Sequence, residues 1–364
     1  MFAELDTPSV LLDLDRVERN VRRMAALRDR LGVRLRPHIK THKIPELARL
    51  QVAEGAAGIT VAKVGEAEVM AAAGIADILI AYPVVGRHKL RRLMAVAQQA
   101  RVSVALDSPA AAGDLSDLGE ALKQGIPIYL ELDTGFHRVG VSPRDALDAA
   151  RALQRLPGLE LVGLASYGGH VHGVGDTAAV DSIIAAEVQL LLETRDALHR
   201  AGMPVEEISI GGTVTTSRAA VRPELLAGVT EIRPGTYIFN DLNTVAEGAC
   251  REEDCAATLL ATVVSRPAPD RAVIDAGSKS LSSDSSPRIA GRGRVAGSGQ
   301  VVEWITEEHG MLRLDPADPL AVGDRVAVIP IHICAMMNLH DRAYGVRGGQ
   351  VVETFAVAGR GRVQ

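Results

Sequence analysis

The residues best suited to chemistry are Arg36-Pro37-His38-Ile39-Lys40-Thr41-His42-Lys43, which set two lysines and two histidines within eight positions. A lysine held close to other titratable groups can lose its proton and attack a carbonyl. The plainer use of the same residues is a polar strand–helix turn with solvated charges. Arg36 to Lys43 follow a strand-like run, and the carboxyl ends of strands are where an α/β barrel keeps its reactive groups.

A second set is Pro330-Ile331-His332-Ile333-Cys334, followed by Asn338-Leu339-His340-Asp341. On a strand His332 and Cys334 would point to one side, so both could reach one cation. Imidazole with thiolate favours zinc over magnesium or calcium, and two protein ligands leave positions open, as a catalytic ion needs. Against this, a buried cysteine is often only packing.

Such groups need a scaffold. Strand-like runs recur at Val33–Pro37, Gly58–Val61, Ile78–Tyr82, Val102–Leu106, Ile126–Leu132, Leu159–Ser166, Glu207–Ile210 and Val229–Ile232. Amphipathic segments separate them, among them Asp15–Leu31, Glu66–Ala73, His88–Ala100, Pro109–Lys123 and Ala178–Ala201. Eight such strands close a parallel (β/α)8 barrel. A doubly wound open sheet is the alternative, but no Gly-x-Gly-x-x-Gly follows the first strand.

From about Asn243 onward, short β-branched runs at Ala256–Ser265, Ala272–Ile274, Arg325–Ile331 and Val351–Val357 alternate with Gly, Pro and Asp turns. This predicts a second, smaller all-β domain, which the early run Ser9–Leu14 can join. The expected division is residues 15–243 for the barrel, and 1–14 with 244–364 for the β domain. Ser278–Gly299, rich in Gly, Ser and Arg, is expected to form loops.

On a barrel the polar residues after successive strands share one face. Strand one supplies His38, Lys40 and His42, strand five His137 and Arg138, strand six Tyr167, His170 and His172. Strands seven and eight end in Gly211-Gly212-Thr213 and Arg233-Pro234-Gly235-Thr236-Tyr237. Barrels often bind phosphate after strands seven and eight, where backbone N–H groups point at the anion. A phosphate site opposite a reactive lysine is the layout expected of a pyridoxal phosphate enzyme.

Of the residues, 47% are hydrophobic and 23% charged, which fits a globular enzyme or binding protein. A net charge of -5 with no basic block argues against general nucleic-acid binding. Three cysteines cannot make a disulfide framework, the acidic N-terminus is no signal peptide, and no apolar run spans a bilayer. A cytoplasmic protein without membrane partners is the expectation.

The lysine motif, the opening Asp6-Thr7-Pro8 through Leu12-Asp13-Leu14-Asp15, the Gly-Gly-Thr turn and Arg-Pro-Gly-Thr-Tyr together resemble the D-threonine aldolase and D-serine dehydratase family. This family belongs to the alanine-racemase-like class of pyridoxal phosphate enzymes, and the resemblance runs from near Leu5 to about Ala358. It implies a barrel plus a β domain in a homodimer. It also implies that Lys40 carries the cofactor, within a cofactor-binding set that includes His38. Arg138 resembles the arginine beside the cofactor's phenolic oxygen, and Tyr167 the group facing its ring nitrogen. Gly211, Gly212, Thr213, Gly235, Thr236 and Tyr237 resemble the phosphate cup. His332 and Cys334 match the pair that holds a divalent metal, with zinc favoured and manganese or magnesium as alternatives.

The resemblance implies a lyase acting on a D-β-hydroxy-α-amino acid. Dehydratase-like members tend to carry His-x-Cys and aldolase-like members His-x-Asp, so Cys334 favours β-elimination to a 2-keto acid and ammonia. Retro-aldol cleavage to glycine and an aldehyde is the alternative, and Asn338-Leu339-His340-Asp341 looks more aldolase-like. An amino-acid racemase, a non-catalytic pyridoxal phosphate carrier and a cofactor-free sugar-phosphate enzyme are further alternatives. Asp275–Lys279 and Glu307–Gly310 resemble stretches of the family's β domain, and His309 is either near a site or part of a structural loop.

Overall fold

Short runs of buried β-branched and aliphatic residues such as Ile78-Leu79-Ile80, each fully buried, must be covered on both faces. That is the demand parallel strands meet when helices pack outside them. A computed structural model describes residues 1–364 and divides the chain into two units. One holds Met24–Lys40, Pro45–Gly235 and Arg362–Gln364; the other holds Met1–Arg23, Thr41–Ile44 and Thr236–Gly361.

The strand Ser9–Asp13 is β1, and the first unit then carries an eight-stranded parallel sheet. Its members are β2 (Arg34–Leu35), β3 (Ile59–Val61), β4 (Asp77–Ile80), β5 (Arg101–Leu106), β6 (Ile126–Glu131), β7 (Leu159–Ser166), β8 (Glu207–Gly211) and β9 (Glu231–Arg233). They pair in sequence from β3 to β9, with β2 beside β9. The ring closes just past β2, where His38 bridges Thr60 of β3 in parallel and Thr60 N donates to Pro37 O at 2.8 Å. The closing seam is therefore the segment that carries Lys40, and Ile39–Thr41 turn there as a single 3-10 turn.

The helices α1 (Leu14–Leu31), α2 (Pro45–Ala53), α3 (Val64–Ala72), α4 (Arg87–Ala97), α5 (Pro109–Leu122), α6 (Ala146–Gln154), α7 (Thr177–Arg200) and α8 (Thr213–Val221) alternate with the strands. Leu79, Ala105, Tyr129 and Ala165 pack as one apolar layer from four adjacent strands. A buried polar layer accompanies it: Glu231 accepts from Arg36 Nε at 2.9 Å and from Ser209 Oγ at 2.7 Å. Arg36 also pairs with Asp77. Buried charges persist only when paired in this way.

The second unit holds α9 (Leu242–Ala246), α10 (Ser278–Leu281), α11 (Ile333–Met337) and the strands β10 (Ala257–Ala268), β11 (Arg271–Ile274), β12 (Gly293–Val295), β13 (Val301–Ile305), β14 (Gly310–Arg313), β15 (Arg325–Pro330), β16 (Arg342–Arg347) and β17 (Gln350–Ala356). Strands β10, β11, β14, β13, β12 and β15 form a closed antiparallel ring, because β11 pairs with both β10 and β14. The early strand β1 does join this sheet, between β10 and β16.

Two expectations are corrected here. Ser278–Gly299 is not all loop: it contains α10 and β12. Gly293 suits a central strand because a Cβ there would lie 2.7 Å from Val328 Cγ1, so the missing side chain leaves room for the valine of the neighbouring strand. His332 and Cys334 do not share a strand either. Strand β15 stops at Pro330, His332 is the N-cap of α11, and Cys334 is helical. The turn is made by buried Asp241, whose Oδ2 accepts Ile333 N at 3.0 Å and draws the backbone out of the sheet.

Candidate active site

The motif that opened the sequence divides by role. His42 is fully buried, accepts Ile44 N on its Nδ1 at 3.1 Å and meets Phe239 edge-on at 6.3 Å. Lys43 is also buried, and its ammonium donates to Asn338 Oδ1 at 2.8 Å. Both are packing residues. Lys40 and His38 instead belong to the barrel unit. Lys40 Nζ stands 5.9 Å from the centre of the Tyr167 ring, and Lys40 N donates to His38 Nδ1 at 3.4 Å. Burial, and then the charges of Lys40, Arg233 and Arg138, hold His38 well below the ordinary imidazole range. His38 is therefore neutral, and with Nδ1 accepting, its proton lies on Nε2.

Tyr167 is the centre of this cluster. Arg138 Cζ lies 4.8 Å from its ring and Phe136 meets it edge-on at 5.6 Å, while its Oη is 2.9 Å from His172 Nε2. The ring occupies space that only glycines leave. A Cβ on Gly169 would be 2.6 Å from Tyr167 Cε1, and one on Gly211 would be 2.9 Å from Cδ2. Gly211 thus has a packing task in addition to any contact with phosphate. Gly212, at φ +109, is the N-cap of α8 and brings no side-chain acceptor to the first helical turn. A helix start of that kind suits an anion.

The expected basic pair is split. His137 is exposed, with its Nδ1 2.8 Å from Asp133 Oδ2, whereas Arg138 turns to Tyr167 and lies 4.0 Å from Glu131. Asp133 shapes the turn by accepting Gly135 N and His137 N, both at 2.9 Å. Its signal was the Asp-Thr-Gly run, a frequent Asx-turn composition. These barrel residues fit a phosphorylated aromatic aldehyde: a lysine, an arginine, a tyrosine face and a glycine-lined helix start.

In the other unit His332 and Cys334 form a pair. Asp284 Oδ2 lies 2.6 Å from His332 Nδ1, and the imidazole also hydrogen-bonds Cys334. Burial opposes the charged ring, but Cys334, Asp241 and Asp284 outweigh it and push His332 up to about 10. Cys334 Sγ donates to Thr41 Oγ1 at 3.3 Å and lies 4.0 Å from Thr236 Oγ1. Thr236, expected on phosphate, thus faces a sulfur, and Tyr237 is buried. No three His, Cys, Asp or Glu side chains gather as a complete metal cage. Imidazole plus thiolate, with a carboxylate on the far ring nitrogen, instead suits an open ion with two protein ligands.

Comparison with known proteins bears on this arrangement. Residues 12–242 match the alanine racemase N-terminal domain, and residues 256–346 match a serine dehydratase domain. The chain is 37% identical to the D-threonine aldolase of Arthrobacter sp., over 99% of this chain and 94% of that protein. The chain belongs to the D-threonine aldolase and D-serine dehydratase family. It is a pyridoxal phosphate-dependent lyase. The D-threonine aldolase of Filomicrobium marinum superposes with a TM-score of 0.91 at 35% identity, covering 100% of this chain and 98% of that one. D-threo-3-hydroxyaspartate dehydratase of Delftia sp. superposes with a TM-score of 0.88 at 34% identity, covering 97% of each chain. That family enzyme is also known as a histidine-to-alanine variant and as a cysteine-to-alanine variant in the metal-free form, the two positions lying two residues apart. No helix of the present family member is long and apolar enough to cross a membrane.

Proposed function

We propose that this lyase acts on D-β-hydroxy-α-amino acids by β-elimination, giving a 2-keto acid and ammonia. The observation that carries the reading is Cys334, two residues after His332 and in hydrogen-bond contact with it. The same order and spacing of histidine and cysteine occur in D-threo-3-hydroxyaspartate dehydratase, which has been solved as a histidine variant and as a cysteine variant in the metal-free form. We assign residues 15–243 to cofactor binding and 1–14 with 244–364 to the metal pair, in a homodimer.

Pyridoxal phosphate, when bound, supplies an electron sink for charge developing at the substrate's Cα. A divalent ion, zinc by its donor set, supplies Lewis acidity at the β-hydroxyl. Lys40 is the residue that holds the cofactor and takes the Cα proton on Nζ. Arg138 places a cation over the Tyr167 face, and the Tyr167 hydroxyl is hydrogen-bonded to His172. Gly211, Gly212 and Thr213, with Gly235, Thr236 and Tyr237, are the proposed phosphate-binding residues. His332 and Cys334 are the proposed metal ligands.

Retro-aldol cleavage is the second reading, favoured by the 37% identity to a D-threonine aldolase. Separate incubations with D-serine and D-threonine, with product identification, decide between them. A 2-keto acid with ammonia supports elimination; glycine with acetaldehyde from D-threonine overturns it.

A further inference from the structure

Helix α7 places Val180, Ile184, Val188 and Leu191 in its buried stripe, and Glu187 lies in the same stripe with no exposed surface. A leucine there would fill a similar volume without the cost of burying a carboxyl. The carboxyl reaches across to the end of β7. Its Oε1 accepts the Ser166 hydroxyl at 2.5 Å. Its Oε2 has no aligned hydrogen bond and lies against Gly168, where a Cβ would come within 2.3 Å of it. Ser166 and Gly168 are the two neighbours of Tyr167 in the chain. Ser166 is held from a second side as well, because its carbonyl accepts from Arg233 Nη2 at 2.9 Å.

We propose that Glu187 is a positioning residue for Tyr167: its carboxyl accepts from Ser166 on one side of the tyrosine and packs against Gly168 on the other, and so fixes the ring and the aim of its hydroxyl at His172. The clamp is a property of the barrel unit alone; only its effect on turnover rests on the reading that Tyr167 faces the cofactor. Burial pushes Glu187 up to about 7 against the opposing pull of Ser166, Arg233 and Gly168, which agrees with a carboxyl kept in place despite the desolvation.

The test compares Glu187→Leu, Glu187→Gln and Ser166→Ala with Asp181→Asn. Asp181 is a buried carboxylate on the same helix, paired with Arg218 and Arg222 instead. Hydrogen–deuterium exchange of the cofactor-free protein should rise roughly tenfold over 167–172 in Glu187→Leu, as expected for losing a hydrogen bond to a carboxyl group. Ser166→Ala should raise it less. Glu187→Gln, which can still bond Ser166, should stay near wild type. The visible band of the reconstituted enzyme should move in Glu187→Leu and return in Glu187→Gln. Unchanged exchange over 167–172 in Glu187→Leu overturns the proposal. So does an equal rise in Asp181→Asn, which would mean that helix stability alone is at work. Because exchange is read without cofactor, a failure of the Lys40 assignment would leave this outcome standing.

Discussion

Asp284 holds His332 by its far nitrogen, with Oδ2 2.6 Å from Nδ1 across 48 residues of chain. A carboxylate in that place fixes the tautomer and ring orientation and leaves Nε2 for a cation. Asp284→Asn should therefore weaken metal binding by about 10- to 100-fold without releasing cofactor. Chelator competition followed by metal analysis measures this. The same chelation should stop turnover while the cofactor's visible absorbance stays. Full turnover after verified metal removal would refute the role given to His332 and Cys334.

Lys40→Ala should abolish both turnover and the absorbance of lysine-bound cofactor. Borohydride reduction followed by peptide mapping would show whether Lys40 is the modified residue. A fully active variant would end the assignment.

Lys43 is the contrasting case, since it is buried and tied to Asn338 rather than turned to the barrel cluster. Lys43→Met should lower stability by about 1–3 kcal/mol, the usual cost of leaving a buried polar partner unpaired. Its kcat should stay near wild type at a temperature where it is folded. A large loss of kcat with unchanged melting temperature would give Lys43 a chemical role instead.

Gly211→Ala would put a methyl group 2.9 Å from Tyr167 Cδ2. The ring has Gly169 on another side and must shift, so cofactor affinity and kcat should fall together. Overpacking of this kind costs about 1–3 kcal/mol. Titration with pyridoxal phosphate would separate this from a phosphate-only defect: inorganic phosphate competition should change little if the ring, and not the anion, is displaced.

Glu187 also makes stability depend on pH. Its folded pKa of about 7 stands above the 4.5 of an unburied glutamate. Below pH 4.5 both folded and unfolded chains hold the proton. Between 4.5 and 7 the unfolded chain releases a proton that the folded chain keeps, so stability falls as pH rises, by on the order of 3 kcal/mol in all. Glu187→Gln should remove that component. Parallel melting-temperature profiles for wild type and Glu187→Gln over this window would contradict it.

Local pattern carried much of this protein. Alternating buried strands and amphipathic helices were legible from Val33 to Ile232, because burial on two faces or one leaves a periodic trace in neighbouring residues. Lysine, glycine and histidine motifs stood at the expected strand ends, whereas the pairing of His332 with Cys334 was argued from a shared strand that the structure replaces with a helix start. Helices α2, α6 and α8 were not among the amphipathic segments expected, although α6 buries a regular stripe at Ala146, Ala149, Ala150 and Leu153. What only the tertiary structure decided was partnership at long range. It split one motif into Lys40 with His38, Lys43 with Asn338 and His42 with Phe239, brought Asp284 out of a Gly- and Ser-rich stretch to His332, and turned Glu187 inward to Ser166. Hydrophobic periodicity sets which face of an element is buried; which polar group meets which depends on where separate elements pack, and no spacing along the chain encodes that distance.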